Sequence, residues 1–219
     1  MKPFYLQDIQ SERKVRLQGR TRPDPYASVL WDKALSGFSK KEDLETLDKA
    51  YKFAKAIDYH HQGMESSIYF PHSLRVASLS LLSLCNNVNA GVVGLLHNIL
   101  ETSATSAKTI AQEFGAEIAI QIEHLTVNRM LQWDAPYKEL YYKIINSSPI
   151  ECRIVKIFDK VDNIFILNIN PDEVIRRKYL YEINAYILPM IKRDIPSILE
   201  YTEQLIEDCY TMGQINVKY

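Results

Sequence analysis

The stretch GVVGLLHNILET, running from Gly91 to Thr102, decides how this chain reads. Up to Glu101 it is apolar on every side except at His97, Asn98 and Glu101, and a helix that is apolar all round is a buried one. Burying those three polar side chains is costly unless each finds a partner. Helical spacing puts positions 97 and 101 on one face, and 98 and 101 as well. Gly91 and Gly94 sit in the same segment. Glycine inside a helix costs about 1 kcal/mol, so close packing against a neighbouring helix is the expected reason for the pair.

Working outward, the helical period continues in both directions. Upstream, Leu44, Leu47, Tyr51, Ala54 and Asp58 recur at three- and four-residue steps. A loop at His60–Phe70 contains Gly63, and Pro71 suits the first turn of a helix through Leu74, Ala77, Leu81 and Leu84 that ends near Asn86 and Asn87. Downstream, Ser106 is placed to cap a short helix ending at Gly115, and Ala116–Val127 and Pro136–Ile145 read as two more. Ser147, Ser148 and Pro149 punctuate. Ile150–Ile169 has roughly helical spacing, although RIVKIF (Arg153–Phe158) alone would also suit a strand. Two further helices are expected at 172–188 and 196–210, with Pro189 and Pro196 near the boundary. The sum is an all-α bundle of about eight to ten helices. Residues 1–43 read as an N-terminal arm with a short helix around Trp31, Pro23 and Pro25 breaking the part before it. Residues 44–210 read as the helical domain, and 211–219 as a tail.

Composition narrows the function classes. Seven glycines among 219 residues is about half of ordinary usage, and no glycine-rich phosphate loop is present. A net charge of −1 excludes broad electrostatic capture of nucleic acid. Cys85, Cys152 and Cys209 are far apart, which suits reduced thiols in a cytoplasmic chain and not a disulfide frame or a thiolate zinc site. The first residues have no apolar signal core and no run is long enough to span a membrane, so a soluble protein is expected. The fourteen tyrosines suit packing with a wet edge, and a subunit contact in a homo-oligomer stays open.

Five histidines are present. A lone histidine on an apolar helix is ordinarily a satisfied core residue, and His60, His61 and His124 show no evident partner. His97 is different because of its company. In RIVKIFDKVDNI, Asp159 sits among Ile157, Phe158 and Val161, with Asn163 one turn on. A buried carboxylate wants a cation, and a bound metal would satisfy His72, His97 and Asp159 together.

The segments PHSLRVA (71–77), GLLHNILET (94–102) and RIVKIFDKVDNI (153–164) together resemble the HD superfamily of metal-dependent phosphohydrolases. Within it they resemble the hydrolase domain of the Rel/SpoT family and its small stand-alone relatives, which remove the 3′-pyrophosphate of guanosine tetra- and pentaphosphate. Tyr69 before His72, Phe114-Gly115, Leu125-Thr126, the Lys156-x-x-Asp159-x-x-x-Asn163 pattern and the Arg176–Tyr179 run carry the likeness, over about residues 44–205. The resemblance implies a metal site at His72, His97, Asn98 and Asp159, with Mn²⁺ as the expected ion and Fe²⁺ or Zn²⁺ as alternatives. It puts Glu101 and Thr102 at the water-activating positions, and Tyr69, Asn163 and Arg176 at the nucleotide. The plainer reading of Arg176, Arg177 and Lys178 is a solvated face. Asn98 stands where the family has Asp, and Thr102 where it has a second acid. Met64–Ser67 replaces a basic nucleotide-binding stretch. Two readings therefore stand beside the hydrolase: a degenerate relative that binds a nucleotide or partner without turnover, and a helical interaction module whose core happens to hold histidines.

Overall fold

The computed structural model describes residues 7–21, 24–60, 65–85 and 87–215. The expectations placed on Pro23, His61, Gly63, Met64, Asn86 and the outermost residues at both ends lie outside these. The described residues are all-α, as expected. The helices are α1 (Ile9–Gln18), α2 (Pro25–Leu35), α3 (Lys41–Lys55), α4 (Ser66–Ser83), α5 (Val88–Leu96), α6 (Ile99–Thr102) and α7 (Ala107–Phe114). They continue with α8 (Ala116–Leu125), α9 (Ala135–Ser147), α10 (Ile150–Ile164), α11 (Glu173–Glu182), α12 (Leu188–Asp194) and α13 (Leu199–Met212).

The segments outnumber the eight to ten expected, for local reasons. The stretch before Trp31 is helical on both sides of its prolines. Asp8 caps α1 by accepting from the Ser11 N–H. Asp24 caps α2 by accepting from Tyr26 and Ala27, with Pro25 in the first turn, where its missing N–H costs nothing. Proline here starts a helix instead of breaking one. The Gly91–Glu101 helix is interrupted. α5 stops at Leu96, His97 and Asn98 form a turn, and Asn98 sits at φ −106°, ψ 3° before α6 begins. Pro71 does not open its helix. α4 starts at Ser66 and carries Pro71 inside it, so that residue cannot donate to the Ser67 carbonyl. At Pro189 the expected boundary is replaced by a π-helical turn, Ile183–Ile187, which joins α11 to α12.

α10 is the axis of the core. Ile154, Val155, Ile157, Phe158 and Ile164 are fully buried, and the helix packs on α4, α5, α8, α9, α12 and α13. RIVKIF is therefore helical, because both its faces meet other helices. α4 and α5 cross in close contact. A Cβ at Gly94 would lie 2.5 Å from the Ala77 Cα, so glycine is needed for the approach. That crossing sets the His72 and His97 rings 5.2 Å apart.

α1 docks differently. Its buried side chains are Glu12, Arg13 and Arg16. Arg13 reaches Asp208 at 2.5 Å and the Phe165 carbonyl at 3.3 Å. Arg16 pairs with Glu12 and, at 2.7 Å, with Asp162. Its guanidinium also stacks over the Phe165 ring at 4.1 Å.

Replacing Gly94 with alanine gains about 1 kcal/mol of helix propensity but drives a methyl into the α4 backbone, an overpacking that costs about 1–3 kcal/mol or more. The expected outcome of Gly94→Ala is a net loss of stability in urea unfolding. An unchanged or raised midpoint would contradict the close crossing.

Candidate metal centre

Three elements bring the expected ligands to one point. α4 carries His72, the turn after α5 carries His97 and Asn98, and α10 carries Asp159. One ligand atom from each of His72, His97 and Asp159 lies within 4.8 Å of the others. Asp159 Oδ1 is 3.5 Å from His72 Nε2 and 3.7 Å from His97 Nε2. Metal–ligand bonds of about 2.1 Å at tetrahedral or octahedral angles separate neighbouring donors by about 3.0–3.5 Å. The Asn98 amide nitrogen lies 3.4 Å from His72 Nε2, which puts that side chain at the same centre.

His97 supplies the clearest sign of fit. Its Nδ1 contacts the Gly94 carbonyl at 2.7 Å, which fixes the ring. Its Nε2 is buried with no hydrogen-bond partner among the described residues, an expensive state for a ring nitrogen unless something binds it. Two imidazole nitrogens and a carboxylate are a donor set that suits a divalent transition-metal ion.

The charges around the centre are paired. Burial by itself would raise the Asp159 carboxyl, but the Lys156 ammonium, 3.0 Å away, and the His72 imidazole hold it well below the usual carboxylate range. Burial would likewise raise Asp162, and Arg75 and Arg16 overcome it. Burial lowers His72, but hydrogen bonding to Asp159 and Asp162 raises it above the ordinary imidazole value. Burial pushes the Tyr69 hydroxyl up, and the Asp159 charge adds to that.

These groups line a cavity of about 540 Å³ together with Glu101, Tyr69 and Asn163. Glu101 is held at both oxygens, one accepting from the Val127 N–H at 2.7 Å and the other 2.8 Å from Arg129 Nε. Asn163 donates to the Asp159 carboxylate at 2.9 Å. Two of the expected site residues lie elsewhere. Thr102 is buried and donates its hydroxyl to the Asn98 carbonyl at 2.6 Å, so it braces the turn and does not reach the cavity wall. Arg176 turns back onto the Asn170 carbonyl at 2.5 Å and is also off that wall. His124, which showed no partner in the sequence, meets Ser148 at 2.8 Å.

Sequence reading gave no site role to Arg16, Arg75, Arg129, Lys138, Lys156, Asp162 and Glu182, all on the cavity wall, although Lys156 belongs to the motif that carries the resemblance. For Lys156 and Asp162 a signal was present, since both are charges on the buried face of an apolar helix. For the others there was none, because their approach is made by tertiary contacts. At the far wall Lys138 and Lys160 converge on Glu182 at 2.6 and 2.9 Å. Burial, with Lys160 nearby, lowers Lys138 to about 8. Burial opposes the Glu182 charge, but the two lysines bring its carboxyl down to about 2.

No family model matches the chain. In sequence it is 28% identical over 151 residues to guanosine-3′,5′-bis(diphosphate) 3′-pyrophosphohydrolase of Aquifex aeolicus (strain VF5), over 68% of this chain and 21% of that protein. It is 24% identical over 144 residues to the "Probable GTP pyrophosphokinase" of Mycobacterium leprae (strain TN), over 64% of this chain and 18% of that one. The chain thus spans about a fifth of the length of these curated relatives. A solved metazoan ortholog of SpoT, described as hydrolysing ppGpp and acting in starvation responses, matches with a TM-score of 0.58 at 18% identity, covering 78% of this chain and 97% of that one. The chain is thus similar in sequence to a Rel/SpoT-type pyrophosphohydrolase and shares the helical fold of the SpoT ortholog, the fold that the motifs implied. Among the described residues no helix is long and apolar enough to cross a membrane.

A depressed carboxyl contributes stability that is present above its unfolded pKa and lost as pH falls toward its folded one. For Glu182 that window runs from the ordinary 4.5 down to about 2. At pH 7, Glu182→Gln is expected to cost roughly 3 kcal/mol in denaturant unfolding. The gap to wild type should narrow between pH 5 and pH 3. A gap independent of pH would contradict the charge pairing.

Proposed function

We propose that the chain is an HD-type phosphohydrolase that removes the 3′-pyrophosphate from a guanosine nucleotide, with a divalent cation, Mn²⁺ first, held by His72, His97, Asn98 and Asp159. The observation that carries this reading is the buried Nε2 of His97, without a hydrogen-bond partner among the described residues, beside His72 and Asp159. The cavity supports a polyanionic ligand. Seven cationic side chains face four carboxylates on its wall among the described residues, a surplus that the net charge of the whole chain hides. The sequence relationship to a named 3′-pyrophosphohydrolase supports the substrate class.

A cation at this centre supplies a more acidic water and a polarised phosphoryl oxygen. The protein does the rest. Glu101 lies on the cavity wall and takes a proton from the attacking water. A carboxylate offers about four lone-pair sites, so its bonds to Val127 and Arg129 leave capacity for that water. Water attacks the phosphorus joined to the sugar oxygen and the P–O3′ bond breaks; the 3′ oxygen leaves as a hydroxyl, taking up the proton that Glu101 received, and the released pyrophosphate carries the oxygen of the water. Lys156 and Asn163 keep Asp159 ionised and oriented. Tyr69 and Asn163 border the substrate. Thr102 acts through the backbone of Asn98.

A second reading has its own observation. Arg129 neutralises Glu101, and Asn98 contributes no charge, so the same site suits a protein that binds a nucleotide without turnover.

The two readings separate in one experiment. Pyrophosphate release from guanosine nucleotides bearing a 3′-pyrophosphate, measured with Mn²⁺, is expected for the wild type and is expected to fall at least 100-fold in His72→Ala. Asn98→Asp is expected to bind Mn²⁺ more tightly. If wild type binds Mn²⁺ and the nucleotides yet releases nothing, and Asn98→Asp gains affinity without turnover, the binding reading replaces the hydrolase.

A further inference from the structure

We infer that Asp162 is a positioning residue that aims His72 at the metal centre, and that α1 belongs to that centre because its Arg16 holds Asp162 in place. This rests on the metal-site reading above.

An imidazole serves as a ligand through one nitrogen, and which nitrogen is free is decided by the bond the other makes. His72 Nδ1 lies 2.8 Å from Asp162 Oδ2. With that nitrogen protonated, the lone pair sits on Nε2, the atom that faces Asp159. Asp162 has little freedom to do anything else. Oδ1 accepts from Arg16 Nε at 2.7 Å and from Arg75 Nε at 2.9 Å, and Oδ2 accepts from Arg75 Nη2 at 2.9 Å as well as from His72. Four bonds fill the acceptor capacity of a carboxylate, and its side chain is 2% exposed.

The clamp is itself anchored. Glu12 pairs with Arg16, and Asp24 with Arg75. Glu12 also accepts from the Tyr26 hydroxyl at 2.7 Å and from the Gln7 N–H at 2.9 Å. A chain of buried charges therefore runs from α1 through α10 to a ligand on α4. His97 needs no such arrangement, because the Gly94 carbonyl of its own helix fixes its ring. The Pro71 next to His72 removes one backbone hydrogen bond from that turn of α4, so the ring has the more reason to be held from outside.

A purely structural ion-pair network would look similar in coordinates, so the test separates the two. Arg13 serves as the control. It lies on the same helix and binds Asp208, the Phe165 carbonyl and Cys209, and shows no bond to Asp162. Mn²⁺ affinity would be measured by titration calorimetry on the full chain for wild type, Asp162→Asn, Arg16→Met and Arg13→Met, with Tm taken for each. Asp162→Asn is expected to weaken Mn²⁺ binding 10- to 100-fold. Arg16→Met should weaken it by a smaller factor, and Arg13→Met should lower Tm while leaving Mn²⁺ affinity unchanged.

The second readout needs no metal. The ¹H–¹⁵N spectrum of the imidazoles should show a hydrogen-bonded Nδ1–H on His72, displaced in Asp162→Asn and in Arg16→Met. Wild-type Mn²⁺ affinity in a folded Asp162→Asn overturns the proposal. So do affinity losses that merely follow Tm in all three variants, or a wild-type His72 whose Nδ1 carries no proton. If Asp162→Asn does not fold, Arg16→Met and the wild-type spectrum decide. If wild type binds no Mn²⁺, the metal-site reading fails, and the spectrum alone decides whether Asp162 orients His72.

Discussion

Two carboxylates on the most buried helix of the molecule, Asp159 and Asp162, are the constraint from which the rest of the arrangement follows. Each is at most 5% exposed, and leaving a charge unpaired at such depth costs about 3–5 kcal/mol. The two are three residues apart on α10 and face different partners. Asp159 meets Lys156 and the two imidazoles, and Asp162 meets Arg16, Arg75 and the far side of His72. His72 stands between them and joins the two sets. The positions of α1, α2 and α4 relative to α10 are those that let every charge find a mate.

Much of the architecture was legible in the amino-acid pattern. The apolar stretch around His97, the proline–histidine segment and the charges at 156–163 placed three candidate ligands that do converge, and the helical period located the helices from α3 onward except α12, with α5 and α6 read as one. What escaped has physical causes. The docking face of α1 is charged, so it has no apolar stripe for periodicity to detect. The break at His97 and Asn98 is made of residues that a helix tolerates, so nothing local announces it. Pro189 was placed at a boundary because a π turn, which accommodates it, has no signature in spacing. Thr102 and Arg176 fell on motif positions, yet one hydroxyl found a nearer carbonyl in its own turn and one guanidinium a nearer carbonyl at Asn170.

The candidate site joins a weakened donor set to a strongly cationic surround. With Asn98 in place of an acid, Asp159 is the one anionic side chain among the four proposed ligands. The wall compensates in the opposite sense, with a surplus of lysine and arginine suited to a highly charged ligand. Affinity for a polyanion and retention of a cation therefore reside in different parts of the same cavity. In such a site the ligand itself can supply the oxygen donors that the protein has given up.

The charged underside of α1 has a consequence for how the molecule opens. Detaching a helix that buries Glu12, Arg13 and Arg16 exposes mainly charged groups, with Ile9 and the covered face of Phe165 as the apolar part. Its release carries a small heat-capacity change and responds weakly to urea, whose action scales with exposed surface. Ions act on it differently, because salt weakens the attraction between its charges as the helix lifts and water enters. Opening of α1 is therefore expected to respond more strongly to guanidinium chloride, an ionic denaturant, than to urea.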